Sequence, residues 1–221
     1  MFTRERVPMI YSRAEYVSDA AVHVIGVLAA LIAVPVLITL VAVWFGDATT
    51  LLAGAVYGFS VLAMLVASAV NNMVALPDWK DLLRRIDQSA IYVKIAGSYT
   101  PLAVLTGTHA GLFLTGIWGA ALAGASLRLF SPGRLKWASI VLYLGIGWAG
   151  ALIGGPLVTA LTPAGLMLIM LAGGIYTFGV LFFVWERLPF HNTIWHVFVL
   201  VATFVLYAAV LLELSGRAPI G

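Results

Sequence analysis

The chain has no cysteine and few charged residues, and both shortages narrow the functions it can have. Without cysteine there are no disulfides, no thiolate metal ligands, no cysteine nucleophile and no thiol redox switch. Only 10% of the 221 residues are Asp, Glu, Lys or Arg, whereas 62% are hydrophobic. A soluble domain has about 25% charged and about 45–50% apolar residues. The composition therefore predicts that most of the protein surface faces lipid rather than water.

Long stretches without charge predict the spans of a membrane protein. Residues 20–46 and 48–77 contain no Asp, Glu, Lys or Arg, and each exceeds the about 20 residues that cross a bilayer as a helix. Residues 95–127 and 137–185 are also free of charge, but each is too long for one crossing and contains a glycine-rich break. The predicted fold is an all-α, seven-transmembrane-helix bundle with helices at residues 20–45, 50–75, 87–106, 111–130, 136–157, 164–185 and 192–213.

The basic residues gather at one end of the predicted bundle and so indicate its orientation. They fall in the N-terminal segment and in the loops after the second, fourth and sixth helices: Arg4, Arg6, Arg13, Lys80, Arg84, Arg85, Arg128, Arg134, Lys136 and Arg187. The opposite end has Arg217, so the positive-inside rule predicts a cytoplasmic N-terminus and an outer C-terminus. We expect a cytoplasmic segment at residues 1–19, one membrane domain at 20–213 and an outer tail at 214–221. This pattern explains the pI of about 9.3 without a nucleic-acid partner.

Hydrophilic side chains inside the predicted spans fall near the cytoplasmic end of four helices. Such groups are costly in a bilayer, so their positions indicate function. They occur as pairs on one helix face, namely Asp19 and His23 on the first helix, Ser68 and Asn72 on the second, Asp87 and Lys94 on the third, and Asn192 and His196 on the seventh. We expect them to line one polar cavity that opens toward the cytoplasm.

Some of these residues also have a purely structural explanation. Asp87 follows a pair of arginines and could cap the third helix at the membrane interface. Lys94 could extend its ammonium group back to the cytoplasmic surface. Asn72 could bond to a neighbouring helix, and His196 could be a structural residue of an apolar helix. The convergence of four helices at one depth favours the cavity.

Several motifs of the sequence resemble those of one membrane-protein family. They are Arg-Ile-Asp-Gln-Ser-Ala-Ile-Tyr at 85–92, Ile-Ala-Gly-Ser-Tyr-Thr-Pro at 95–101, Trp-Glu-Arg-Leu-Pro-Phe at 185–190 and Ile-Trp-His at 194–196. Over residues 15–213 the chain resembles the hemolysin III family, the bacterial branch of the progestin and adiponectin receptor (PAQR) superfamily. The resemblance implies a multi-pass seven-helix bundle in the inner (plasma) membrane of a bacterium, with an inward-facing zinc site.

The resemblance also implies a set of zinc ligands, which this sequence retains only in part. The family pattern has one histidine in a Ser-x-x-x-His motif on the second helix and two in a His-x-x-x-His motif on the seventh. An aspartate at the start of the third helix orients a zinc-bound water. Ser68, Asp87 and His196 match this pattern, whereas Asn72 and Asn192 stand where the other two histidines are expected.

The replacement of two histidines changes what the predicted site can hold. A neutral carboxamide oxygen is a poor zinc ligand compared with an imidazole. We therefore expect no bound cofactor, and zinc held by His196, Asp87 and His23 is the alternative. In the absence of zinc, the ammonium group of Lys94 is expected to supply the positive charge in the polar network around Asp87.

Three functions are compatible with this pattern. The favoured one is a membrane protein that keeps the cavity but not the chemistry, and binds a lipid or small molecule. The second is a zinc-dependent membrane hydrolase of lipid amides or esters, with Asp87 and Ser68 in catalysis. The third is a pore-forming, cytolytic or transport protein. Membrane lipids are the expected partners, while the ligand, the oligomeric state and the existence of any enzymatic activity are left open.

Overall fold

The structure is a computed structural model that describes residues 12–107, 110–130 and 136–219. Within these ranges the chain forms long α-helices and no strand. The helices are α1 (Arg13–Phe45), α2 (Ala48–Met73), α3 (Lys80–Thr106), α4 (Ala110–Phe130), α5 (Lys136–Ile153), α6 (Gly155–Ala160), α7 (Pro163–Val184) and α8 (His191–Ser215). Of the basic residues that predict the orientation, Arg4, Arg6 and Arg134 lie outside the described residues.

Five of these helices are long and apolar enough to cross a membrane, namely α1, α2, α4, α7 and α8. The first turns of α3 contain several charged residues, and α5 has only 18 residues. Large apolar side chains point outward along the bundle, such as Ile32, Val43 and Leu112, which are 70%, 75% and 85% exposed. Such exposure is expected of a surface that lipid covers. The count of seven spans and the orientation of the termini stay predictions.

The first two helices begin at residues whose side chains bond to free backbone N–H groups. Ser12 and Glu15 form a capping box, in which the Glu15 N–H donates to Ser12 Oγ at 3.2 Å and the Ser12 N–H donates to Glu15 Oε2 at 2.8 Å. This cap starts α1 at Arg13, seven residues before the predicted start at residue 20. Gly46, with φ of 66°, ends α1, and Asp47 caps α2 by accepting from the Thr50 N–H at 2.9 Å.

The start of α3 corrects one prediction about Asp87. Pro77–Trp79 form a short 3₁₀ turn, and α3 follows directly from Lys80. Asp87 therefore lies about two turns inside α3 and is not the residue that caps it. The predicted start at residue 87 was wrong because the charged first turns continue the helix toward the interface. The fifth predicted helix also divides, since α5 ends at Ile153 and α6 follows after Gly154.

Helix α3 lies at the centre of the bundle, where it contacts α2, α4, α5, α6 and α8. Two buried tyrosines of α3 connect it to α5, because Tyr92 donates to the Ser139 carbonyl at 3.0 Å and Tyr99 donates to the Gly147 carbonyl at 2.6 Å. On another face, Gly97 of α3 lies directly against Ser60 of α2. A small residue at this position lets the two backbones approach closely.

Candidate functional site

A cavity of about 460 Å³ lies between α1, α2, α3, α5, α7 and α8. Its polar lining includes His23, Ser68, Asn72, Asp87, Lys94, Asn192 and His196. Asp19, the other hydrophilic residue that the sequence predicts for the cavity, is not among the lining residues but contacts His23 and His196. Asn71, Lys80 and Tyr176 also line it. The rest of the lining is mostly apolar, and it also includes Arg84, Gln88, Ser98 and Arg128. Its apolar side chains include Leu65, Ile95, Leu102, Leu144, Val180 and Leu200. Seven of the eight predicted residues thus line one cavity, and their roles in function stay predictions.

The first turns of α1 and α8 are tied together by hydrogen bonds, which fixes the position of the site residues that follow. Glu15 Oε1 accepts from the Phe190 N–H at 2.9 Å, and the hydroxyl groups of Ser18 and Thr193 are 3.1 Å apart. Phe190 has φ of 58°, an uncommon backbone conformation for a residue other than glycine. These contacts set the register in which Asp19, one turn after Glu15, faces α8.

Asp19 joins two histidines of α1 and α8. Its Oδ1 is 2.6 Å from His196 Nδ1, and its Oδ2 is 3.4 Å from His23 Nε2. The His23 and His196 ring centroids are 4.4 Å apart. All three residues are buried, with 8%, 4% and 8% exposure for Asp19, His23 and His196. Asp19 was seen in the sequence as the partner of His23 on one face, but its contact with α8 could not be read there.

The two asparagines at the histidine positions of the family pattern bond to each other. Asn192 Nδ2 donates to Asn72 Oδ1 at 3.4 Å and to Asp19 Oδ2 at 3.3 Å. Asn72 Nδ2 in turn donates to the Ser68 carbonyl at 2.9 Å. Asn192 therefore connects the Asp19 group on α1 to α2.

Asp87 has a partner that sequence analysis missed. Asn71 Nδ2 donates to Asp87 Oδ2 at 2.9 Å, and the Lys80 ammonium group donates to the Asn71 carbonyl. Asn71 is buried, and its own Oδ1 has no hydrogen-bond partner. The sequence did contain a signal for Asn71, namely two consecutive asparagines at the end of an apolar helix. Adjacent residues on a helix point in different directions, so the second asparagine has to contact a different neighbour.

Lys94 lies deeper in the cavity and bonds to α7 rather than to Asp87. Its Nζ donates to the Tyr176 hydroxyl and lies 4.2 Å from the centroid of that ring. The Tyr176 oxygen is 2.6 Å from Thr203 Oγ1, which itself donates to the Val199 carbonyl at 2.7 Å. We expected Lys94 to join the polar network around Asp87, and the structure differs from this expectation. Lys94 and Asp87 are seven residues apart on α3, which places them about 10 Å apart along the helix axis.

The donor atoms of the site can be tested against the zinc that the family pattern implies. The three pattern positions do not fit, because Asn72 and Asn192 offer carboxamides that bond to each other and only His196 offers an imidazole. A different set fits better: Asp19, His23 and His196 each have a ligand atom within 4.8 Å of the others. Two imidazoles and one carboxylate are a known zinc donor set.

The fold and the cavity together define a helical integral membrane protein whose polar residues face an internal site. Comparison with known proteins specifies the family. The sequence pattern of the family described as Haemolysin-III related matches residues 13–207. The chain belongs to this hemolysin III family, as the resemblance of its motifs indicated.

Individual relatives support the same assignment. The chain is 35% identical to the Hemolysin-3 homolog of Bacillus subtilis (strain 168) over 206 residues, which are 91% of this chain and 95% of the relative. It is 35% identical to Hemolysin-3 of Bacillus cereus over 201 residues, covering 89% and 90% of the two chains. The human Monocyte to macrophage differentiation factor is 32% identical over 167 residues, covering 70% of this chain and 67% of the relative.

Proposed function

We propose that this protein binds a lipid-like amphiphile from the membrane in the cavity between its helices, without the zinc chemistry of the family pattern. The observation that supports the proposal is the cavity itself, which has about 460 Å³, apolar walls and a convergent polar group. Ligand pockets are typically about 300–1,000 Å³ and mostly apolar, with a few placed polar groups. An amphiphile has an apolar chain that can pack against the walls and a polar head group that can bond to the polar side chains.

The asparagines at the histidine positions favour binding over catalysis. Asn72 and Asn192 satisfy each other and Asp19 by hydrogen bonds, so they complete a polar wall without a metal. Buried polar groups that are satisfied in this way stabilise one arrangement of the helices around the cavity. The cavity thus has a complete polar wall, although two histidines of the family pattern are replaced by asparagine.

Two glycines of α5 provide a matched test of the proposal. Gly147 lines the cavity, whereas Gly145 does not. A side-chain atom added at either position meets no other atom within 4 Å. Gly147→Leu therefore fills the cavity, and Gly145→Leu adds the same side chain to another face of the same helix.

The measurement is native mass spectrometry of each variant purified in mild detergent, with extraction of the bound molecules. We expect a bound amphiphile on the wild type and on Gly145→Leu, and a clear loss on Gly147→Leu. Equal occupancy of the two variants, or no bound species on the wild type in detergent or after incubation with membrane lipid extract, would contradict the proposal.

A metal-assisted hydrolase is a second candidate, favoured by the donor set of Asp19, His23 and His196. Zinc bound there would act as a Lewis acid toward a substrate carbonyl. Asp87 lies in the same cavity and is the candidate proton acceptor, while Ser68 lies on the adjacent wall. The hydrogen bond from Asn71 would hold the Asp87 carboxylate in place.

Elemental analysis separates this candidate from simple binding. The hydrolase requires about one zinc per chain that His23→Gln removes and Asn72→Ala retains, together with chelator-sensitive hydrolysis of a lipid amide. Zinc-free protein that still binds an amphiphile supports the first proposal. Leakage of liposomes at low protein density would instead support the pore-forming alternative.

A further inference from the structure

We infer that the amphiphile carries a single anionic group of the carboxylate kind, which the Lys94 ammonium group binds in the deep part of the cavity. This inference rests on the proposed binding function and specifies its ligand class. The observation behind it is a buried cation on the cavity wall whose partners in the protein are all neutral.

Lys94 is only 3% exposed, although it lines the cavity. Among the described residues it takes part in no ion pair, and its hydrogen-bond acceptor is the neutral Tyr176 hydroxyl. A charge buried without an opposite charge is costly. An aromatic ring and one phenol oxygen compensate for only part of this cost.

The hydroxyl groups beyond Lys94 are oriented so that they favour its charged form. Thr203 donates to the Val199 carbonyl, so its oxygen accepts the proton of Tyr176. The Tyr176 oxygen is thereby left to accept from Lys94. Every donor in this chain points away from the ammonium group. Because an ammonium group has three N–H donors and Tyr176 takes one, two donors remain for a ligand oxygen.

The carboxylate of the cavity, Asp87, and the nearby carboxylate of Asp19 are already paired with other groups. Asp87 accepts from Asn71 and lies about 10 Å from Lys94 along the axis of α3. Asp19 contacts the two histidines. Neither pairs with Lys94, so an anionic occupant of the cavity is the partner that we infer for its ammonium group.

A single carboxylate fits this position better than a phosphate. One ammonium group balances one negative charge, whereas a phosphate monoester carries about −1.5 to −2 charges near neutral pH. The second lysine of the cavity, Lys80, donates to the Asn71 carbonyl near the beginning of α3. It lies fourteen residues before Lys94 and so about 21 Å away along the axis.

The test uses the full chain in nanodiscs of phosphatidylcholine, with empty nanodiscs as the blank, at a pH near 8. The probes are laurate, 1-dodecanol and dodecyl phosphate, which share one chain length and differ in the head group. We expect wild-type protein to bind laurate at least about tenfold more tightly than dodecanol, the ratio for one charge-assisted hydrogen bond.

Variants then assign the preference to one residue. Lys94→Gln should remove the preference for laurate over dodecanol, whereas Lys80→Gln should retain the preference. Tyr176→Phe keeps the charge of Lys94 and should also retain it. If Lys94→Gln does not fold, the inference is tested by the ratio of laurate affinity to dodecanol affinity in the wild type and in Tyr176→Phe.

Two outcomes overturn the inference while the proposed binding function stands. One is equal binding of laurate and dodecanol by the wild type. The other is tighter binding of dodecyl phosphate than of laurate. Failure of all three probes to bind wild-type protein, together with the absence of any bound species in native mass spectrometry, would instead remove the proposed function itself.

Discussion

Replacement of Asp19 by asparagine tests how much the polar group of the cavity contributes to the folded bundle. Asp19→Asn keeps the shape of the side chain but removes the charge that His196 contacts at 2.6 Å and His23 at 3.4 Å. It also places a second amide N–H₂ group near that of Asn192, which donates to Asp19 Oδ2 at 3.3 Å. We expect a lower free energy of unfolding for this variant.

The magnitude follows from the shortest contact. A hydrogen bond to a charged group contributes about 1.5–3 kcal/mol, so the His196 contact alone predicts a loss of about that size, and the longer contacts add less. The control is Asp81→Asn, which breaks the exposed pair with Arg84 at 2.8 Å. An exposed pair contributes only about 0.2–1 kcal/mol.

The assay is denaturation of both variants in the same detergent, followed by helix circular dichroism. A double-mutant cycle of Asp19→Asn with His196→Gln should give a coupling free energy of about 0.5–3 kcal/mol. An Asp19→Asn loss no larger than that of Asp81→Asn, or a coupling free energy near zero, would refute the account of the buried group.

Two further predictions concern the helices that hold the cavity. Gly97→Ala should lower the free energy of unfolding by about 1–3 kcal/mol, the usual cost of overpacking, because the added carbon would meet Ser60 Cβ at 2.7 Å. Gly116→Ala, which meets no atom within 4 Å, is the control, and equal Tm values would contradict the packing of α2 on α3. The Thr50 N–H that caps α2 lowers the pKa of Asp47. Asp47→Ala should therefore lower the Tm more above about pH 5, where the carboxylate is charged in folded and unfolded chains alike, than near about pH 2, because the cap weakens as the carboxylate is protonated. A Tm difference that is the same at both pH values would contradict this assignment.

The course of the helices could be predicted from the sequence because charge is so scarce. Each charge-free stretch corresponds to between one and three described helices, and apart from the division of the fifth predicted helix only the helix ends differ. The start of α1 could have been predicted from Ser12 and Glu15, because a serine followed three residues later by glutamate is a known capping pattern. The start of α3 was not readable from hydropathy, because its first turns are charged.

The cavity lining could be predicted only where two polar residues share a helix face. Spacing of four residues identified Ser68 with Asn72 and Asn192 with His196. Tyr176, which lines the cavity, and its partner Thr203 were missed, because a single polar residue on an apolar helix does not reveal which neighbour it faces. The direction of the Lys94 side chain depends on these two residues and so required the structure.

The central claim is that positions 72, 192 and 196, on two helices separated in sequence, converge on one point of the cavity. The most direct measurement is the zinc content of a variant with Asn72→His and Asn192→His, in a His23→Gln background that removes the alternative donor set. Three imidazoles that meet at one point form a known zinc site. We expect a gain to about one chelator-sensitive zinc per chain over the His23→Gln parent, and no gain would contradict the convergence of these positions.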